Sequence, residues 1–484
     1  MNENGDIGLV GLAVMGANLA LNIADHGFTV VVNNRTVGKI DEFLAGPAKG
    51  ANVLGARSMQ EMVSMLSKPR KIILMVKAGK AVDDYIDTLM PLLDKGDCII
   101  DGGNSHFTDT MRRTQRVEAA GMLFVGCGVS GGEEGARRGP SMMPGGSSAA
   151  WPLVKPIFQS ICAKTPDGNP CCDWVGDNGA GHFVKMTHNG IEYGDLQLIG
   201  ESYQFLRDGL GLAPLQCSGA FSEWNKGELN SYLIEITADI LAFRDADGSF
   251  LVDNILDAAG QKGTGKWTGV SSLDLSIPVT LIVEAVFARC LSASRDERTS
   301  ASKILAGPDR KIAGNQKESI DNLCDALLAS KIISYAQGFM LLRNAATEYS
   351  WNLDLGNIAL MWRAGCIIRS GFLDHIKTAC SQNHGLVSLL VDSYFRDVLA
   401  KSQNGWRKTV AQAAIAGIPM PAMSAALSFY DGYRCDRLPA NLLQAQRDYF
   451  GAHTFERVDS PRGTFFHADW TGHGGKTASG SYNA

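Results

Sequence analysis

Several things are scarce in this chain, and each scarcity removes a class of function. No uninterrupted apolar run approaches the roughly 20 residues that span a bilayer, so a membrane-embedded role is not expected. Neither sign of charge dominates: the net charge is -5, which leaves no electrostatic basis for nucleic-acid or membrane-surface binding. Cysteines number 11, an odd count, with one adjacent pair (Cys171, Cys172) and no C-x-x-C. A disulfide framework or zinc site is therefore not indicated, and reduced thiols in a cytoplasmic protein are expected. No basic n-region or cleavage site opens the chain; its first apolar residues already belong to a strand–glycine–helix pattern. A cluster of Asp carboxylates of the kind that holds Mg²⁺ is also missing, so no metal is expected.

What is present is the composition of a globular protein, 45% hydrophobic and 20% charged over 484 residues, enough for two or three domains. Residues 1–177 alternate β-rich runs with helical patterns. The runs are IGLVG (7–11), FTVVVNN (28–34), KIILMV (71–76), DCIID (97–101) and MLFVG (122–126). LALNIADHG, AVDDYIDTLMPLL and TDTMRRTQRVEAAG read as helices between them. This order predicts an α/β Rossmann-like domain with a parallel doubly wound sheet. Helical periods then dominate residues 178–434, an all-α domain. Within it Trp224-Asn-Lys-Gly227-Glu-Leu229 resembles Trp362-Arg-Ala-Gly365-Cys-Ile367, as a duplicated helical unit would. Residues 435–484 form a C-terminal tail. From Ser460 it is rich in Gly, Ser and Thr and is expected to be extended or disordered unless a partner orders it.

A dinucleotide site is predicted at IGLVGLAVMGANLALN. Gly11, Ala13 and Gly16 form a G-x-A-x-x-G turn between a strand and a helix, where backbone N–H groups and the helix N-terminus can hold a pyrophosphate. At the end of the second strand, where a carboxylate would bind the ribose of NAD, the chain has Asn33-Asn34-Arg35-Thr36. A guanidinium and a hydroxyl suit a 2′-phosphate, so NADP is the expected cofactor.

In KMTHNGIEYGD (185–195) the polar residues Lys185, His188, Asn189, Glu192 and Tyr193 fall on one helical face. Thr187, Gly190, Ile191, Gly194 and Leu198 make the other face small or apolar, as close packing requires. Such a polar stripe is either a solvated face or a site. His188 and Glu192 lack a third ligand at metal-binding spacing. GQKGTGKW (260–267) nearly spells an ATPase phosphate loop. Trp267 replaces its Mg²⁺-binding Ser or Thr, and the lead-in FLVDNILDAAG reads as helix rather than strand, so the ATPase reading fails. A loop presenting Lys262 to an anion remains open. Trp267, Trp362 and Trp406 read as core.

The chain resembles the 6-phosphogluconate dehydrogenase family through essentially its whole length. GLAVMGANLALN, NNRT, IIDGGNS, GVSGGEEGARRGPSMMPGG, GHFVKMTHNGIEYGD, ILDAAGQKGTGKWT, EAVFARCLS, LGNIALMWRAGCIIRS and QRDYFGAHTFE carry the likeness. The resemblance implies NADP-dependent, metal-independent oxidative decarboxylation of 6-phosphogluconate to ribulose 5-phosphate and CO₂ in the pentose phosphate pathway. It implies Lys185 as general base and then acid, and Glu192 as the acid that protonates the enediol at C1. Phosphate contacts by motif are Tyr193, Lys262 and Arg289. Arg447 and His453 match contacts supplied across a homodimer by the partner's C-terminal segment. Ser130, Gly131, Gly132 and Asn104 match the loops around the carboxylate and nicotinamide, with His188 and Asn189 on the substrate oxygens. Asn34, Arg35 and Thr36 match the 2′-phosphate contacts, and Met15, Val76 and Lys77 line the rest of the cofactor site. Two other readings stand beside this one: a dehydrogenase for a smaller hydroxy acid, and an NADP sensor without turnover.

Overall fold

The structure is a computed structural model that describes residues 4–473. It divides into two compact units after Ala426. In the first, eight strands make one sheet: β1 (Ile7–Val10), β2 (Val30–Asn33), β3 (Val53–Gly55), β4 (Lys71–Leu74), β5 (Cys98–Asp101), β6 (Leu123–Ser130), β7 (Ser141–Gly146) and β8 (Gly176–Asp177). Their order is β3-β2-β1-β4-β5-β6-β7-β8. Strands β1 to β6 are mutually parallel, and β7 returns antiparallel to β6.

The predicted β runs succeed because helices cover both faces, so a central strand needs apolar residues at every position. Ile7, Leu9, Val30 and Val32 enter the core on one side of the sheet, while Val10, Val31, Ile72 and Leu74 enter the core on the other. Three strands carry no such run. β3 and β8 are very short, and β7, SMMPGG, contains a proline and two glycines, residues that ordinarily weaken a strand. β7 forms because β6 continues to Ser130, well past the predicted MLFVG, and offers a paired edge.

The helix Ala180–Gln204 follows the sheet and is buried along most of its length. Close approach explains its position. A Cβ on Gly126 of β6 would lie 2.8 Å from the His182 ring, and one on Gly128 would lie 2.3 Å from Lys185 Cβ. Two glycines spaced by two on a strand thus receive two helical residues spaced by three. On the opposite face, Gly190 packs against Thr268 and Gly194 against Ser334 and Leu281, as the small stripe predicts. A buried ion pair, Lys331 Nζ to Asp195 Oδ2 at 2.5 Å, ties this helix to the long helix Gln316–Glu348.

Both Trp motifs sit at helix ends. Trp224 ends the helix Pro214–Trp224 and Trp362 follows the helix Leu355–Met361; each turn leads into another helix, Tyr232–Ala242 or Leu373–Gln382. Ser231 and Ser370, at the ends of the two turns, pair in an antiparallel bridge. Trp362 and Trp406 are core residues. Trp267 is not: it is partly buried and meets His106 edge-on at 5.0 Å. FLVDNILDAAG also departs from expectation, with a single helical turn at Leu251–Asn254. Side chains of a neighbouring segment hold the rest: Arg289 donates to Gly260 O, Ser292 Oγ accepts from Ala259 N, and Arg295 and Arg298 pair with Asp257. Tertiary anchoring overrides the helical pattern here.

In the second unit, the helix Ala440–Gly451 precedes an antiparallel pair, β9 (Phe455–Glu456) and β10 (Phe465–Phe466). Residues 460–473 are therefore folded back, a correction to the extended tail expected from Ser460. Asp448 is the reason: its carboxylate accepts from Thr454 N, Ala468 N, His467 Nδ1 and Trp470 Nε1. Burial alone would raise its pKa, yet these donors hold it down to about 2. The remainder of TGHGGKTASGSYNA, residues 474–484, lies outside the described residues.

The Lys331–Asp195 pair gives a stability test. Lys331→Met leaves a buried carboxylate without its cation, a loss of about 3–5 kcal/mol. Urea denaturation should show a clearly lower midpoint; an unchanged midpoint contradicts the assignment.

Candidate active site

Because β1 to β6 are parallel, their carboxyl ends share one edge, and the chain turns there carry the cofactor residues named from sequence. Strand order reverses direction between β1 and β4, the place where open α/β sheets bind ligands. Gly11 sits there at φ +103. A Cβ on it would lie 2.5 Å from Met75 O, and one on Gly16 would lie 1.9 Å from Gly11 O. Only glycine lets the turn close this tightly. The helix Val14–Asp25 begins at once, with Ala13 extended, no side-chain cap and no acidic residue in its first turn. Its leading N–H groups remain available to an anion.

The loop after β2 is built against this turn. Asn34 Oδ1 accepts from Leu12 N at 3.1 Å, and its Nδ2 donates to Thr36 O. Arg35 and Thr36 are exposed, and Arg35 has no ion pair with the described residues. Met15 and Val76 are half-buried beside the turn and Lys77 is exposed. Asn104 is exposed just beyond β5. A buried network braces its loop: Arg113 bonds Asp83 and Asp101, and Ser105 Oγ donates to Asp101 Oδ2 at 2.6 Å.

Along the helix Ala180–Gln204 the polar face holds a hydrogen-bonded cluster, not a solvated stripe. Lys185 is 6% exposed, with its stem passing over Gly128. Its Nζ lies 3.3 Å from His188 Nδ1, which also lies 2.9 Å from Asn189 Oδ1. On the other side of the ring, His188 Nε2 meets Cys366 Sγ at 2.8 Å and Ser130 Oγ at 3.1 Å. Asn189 Nδ2 donates to Thr264 Oγ1 at 3.1 Å. Glu192 Oε2 stands 3.8 Å from His188 Nδ1 and keeps partial exposure. His188 is wholly buried, with both ring nitrogens engaged inside the protein.

Electrostatics follow from this burial. Loss of solvent lowers the Lys185 pKa, against the pull of Glu192 and Cys366. Burial raises that of Glu192, with Lys185 and Arg289 opposing. Burial, then the charge of Lys185, pushes His188 well below its ordinary value, so it stays neutral. The directions suit a lysine that accepts a proton and a carboxylic acid that gives one.

Arg289 Cζ lies 3.6 Å over the Tyr193 ring, so two of the proposed phosphate contacts are together. Lys262 is exposed on the preceding loop, just before the left-handed Gly263 that starts the helix Thr264–Asp274. Gly131 and Gly132 follow β6 and pack on the 365–367 loop: a Cβ on Gly131 would lie 2.5 Å from Gly365 O. Arg447 and His453 belong to the second unit, where Arg447 donates to Gln444 at 3.1 Å. Sequence reasoning gave no role to Cys366, Thr264 or Gly128. Each lies inside or beside a quoted motif, but none belongs to a periodic polar pattern that would single it out.

A glycine turn at the switch point of a parallel sheet, together with a buried lysine and a partly exposed carboxylate on the helix packed against that sheet, defines a dinucleotide-binding protein of the dehydrogenase class. Residues 6–176 match the NAD binding domain of 6-phosphogluconate dehydrogenase, and residues 181–470 match the C-terminal domain of that enzyme. The chain thus belongs to the 6-phosphogluconate dehydrogenase family. It is 62% identical over 480 residues to the decarboxylating 6-phosphogluconate dehydrogenase of Ovis aries, covering 99% of both chains. It is 60% identical over 483 residues to that of Aggregatibacter actinomycetemcomitans, covering 100% of each. The solved structure of Plasmodium falciparum 6-phosphogluconate dehydrogenase, described in apo form and with NADP⁺ and 6-phosphogluconate, is similar at TM-score 0.93 and 43% identity, over 96% of this chain and 100% of that one.

Gly128 tests the packing that buries the lysine. Gly128→Ala puts a methyl group where Lys185 Cβ stands, at an overpacking cost of about 1–3 kcal/mol. Calorimetry should record a lower melting temperature; a transition at the wild-type temperature contradicts the close approach.

Proposed function

We propose that this chain catalyses the NADP-dependent oxidative decarboxylation of 6-phosphogluconate to ribulose 5-phosphate and CO₂. The observation that carries the reading is the Lys185–Glu192 face of a helix packed on the sheet that also bears the dinucleotide turn. Membership of the family and full-length likeness to its decarboxylating members support it. The Gly11–Gly16 turn and the uncapped helix at Val14 fit a pyrophosphate, while Asn34, Arg35 and Thr36 fit a 2′-phosphate, with Met15, Val76 and Lys77 beside them. NADP, when bound, supplies the acceptor for the hydride that leaves C3 of the substrate.

The chain's own residues handle the protons. Neutral Lys185 takes the proton of the C3 hydroxyl as that carbon is oxidised. The ammonium so formed returns a proton to the new carbonyl oxygen, which drains electrons from the breaking C–C bond as CO₂ leaves. Glu192 then protonates the carbon that lost CO₂, while Lys185 takes back the enediol hydroxyl proton. Both groups reset by exchange with solvent. Ser130, Gly131, Gly132 and Asn104 border the carboxylate end, and Asn189 orients the hydroxyls. Tyr193, Arg289 and Lys262 hold the phosphate end. In a homodimer, Arg447 and His453 of the partner subunit complete that end, on the division into domains 1–177, 178–434 and 435–484. No helix among the described residues is long and apolar enough to cross a membrane. The 11 free cysteines support a reducing, cytoplasmic setting.

The reading is tested by following NADPH absorbance and CO₂ release with NADP and 6-phosphogluconate. Turnover is expected; none from the intact protein contradicts it, and turnover with only a smaller hydroxy acid favours the other dehydrogenase. Lys185→Ala should abolish hydride transfer and spare NADP binding by calorimetry; substantial hydride transfer in that variant removes Lys185 as base. The kcat profile should be a bell. The acid limb appears as pH falls through the lowered Lys185 pKa and the amine charges. The alkaline limb appears as pH rises through the raised Glu192 pKa and the acid is lost. Arg35→Ala removes a charged hydrogen bond worth about 1.5–3 kcal/mol, roughly ten- to hundredfold in affinity. It should weaken NADP binding by that factor and leave NAD binding unchanged; equal losses for both contradict the 2′-phosphate role.

A further inference from the structure

We propose that Cys366 is a positioning residue whose S–H, donated to His188 Nε2, helps Asn189 hold the ring in its Nδ1–H tautomer and so denies a protonated Lys185 an acceptor at Nδ1. The proposal rests on the reading of Lys185 as base.

It follows from tracing donors through the buried cluster. Asn189 Nδ2 gives its hydrogen to Thr264 Oγ1, which leaves Asn189 Oδ1 turned toward His188 Nδ1 at 2.9 Å as an acceptor. Nδ1 must then carry the hydrogen. A neutral imidazole has one N–H, so Nε2 is bare and needs a donor. Cys366 Sγ lies 2.8 Å from it, while Ser130 Oγ lies 3.1 Å from Nε2 and 3.4 Å from Sγ, so the thiol hydrogen goes to the ring, at the shorter separation, rather than to Ser130. Burial raises the Cys366 thiol above its ordinary value, so it keeps the hydrogen it must donate.

Lys185 Nζ lies 3.3 Å from the same Nδ1. With its hydrogen given to Asn189 Oδ1, Nδ1 has no lone pair to accept from an ammonium at this position. The opposite tautomer would offer Nδ1 as an acceptor and stabilise the charged lysine. The other groups facing this ring are Glu192, 3.8 Å from Nδ1 on the same helix, and Trp362, edge-on at 5.7 Å. From β6, Ser130 reaches the ring and Gly128 lies under Lys185, and Arg289 lies toward Tyr193. Glu192 pulls Lys185 toward the charged state, and the tautomer set through Cys366 acts against that pull.

The test compares Cys366→Ala with Cys366→Ser in the full chain. In Cys366→Ala the acid limb of kcat/KM should move up by about one pH unit, a tenfold fall in neutral Lys185 at a given pH. Cys366→Ser, which keeps a donor, should restore the wild-type midpoint. Reduced activity in Cys366→Ala with an unmoved midpoint would mean a packing role only and overturns the proposal. If Cys366→Ala does not fold, ¹⁵N-histidine NMR of the wild type decides, with His188 assigned through His188→Gln. A proton on Nδ1 sustains the proposal and a proton on Nε2 overturns it. Failure of the wild type to turn over 6-phosphogluconate would instead count against the functional reading, and the NMR result stands apart from it.

Discussion

The close approach of the helix Ala180–Gln204 to β6 is the constraint on which the site depends. Gly126 and Gly128 leave no side chain between strand and helix, so His182 and Lys185 lie directly on the sheet. That contact takes the Lys185 amine out of water and lowers its proton affinity. A lysine on a solvated helix face would be protonated at neutral pH and unable to act as a base. Backbone packing in the N-terminal sheet thereby sets the chemistry of a residue carried on the helical side.

The same approach brings the loops of the sheet next to the helical side. The carboxyl ends of β1, β2 and β4 carry the dinucleotide turn, and those of β5 and β6 carry Asn104 and the 130–132 loop. Lys185 stands over β6, at the border between these loops and the helices that bear Arg289 and Thr264. One helix serves two surfaces. Its polar face holds the cluster proposed to handle protons, and its glycine face lets Thr268, Ser334 and Leu281 press against it from behind. Rigid backing of this kind keeps the groups at fixed separations, as acid–base catalysis requires.

Much of this was legible in the sequence, for identifiable reasons. Parallel strands buried on both faces read as apolar runs, and the glycine turn at Gly11 has a spacing set by backbone geometry. The 3.6-residue period placed Lys185, His188, Asn189, Glu192 and Tyr193 together without any structure. What was hidden depends on long-range pairing. β7 has a breaker-rich sequence and exists through β6. The 255–263 loop is held by arginines from another segment in place of the helical bonds its pattern suggests. Cys366 reaches His188 across 178 residues, and no local period marks such a contact. The tail misled because its Gly, Ser and Thr content outweighed the few aromatic residues that fold residues 460–473 back onto Asp448.

The central claim is that burial, arranged by glycines, lowers the proton affinity of Lys185. NMR titration of the protein with ¹⁵Nζ,¹³Cε-labelled lysine measures this directly, with the Lys185 signal assigned by its loss in Lys185→Met. The account predicts that this one lysine titrates well below the solvent-exposed lysines. Titration together with them, near the ordinary value of about 10.4, would contradict it.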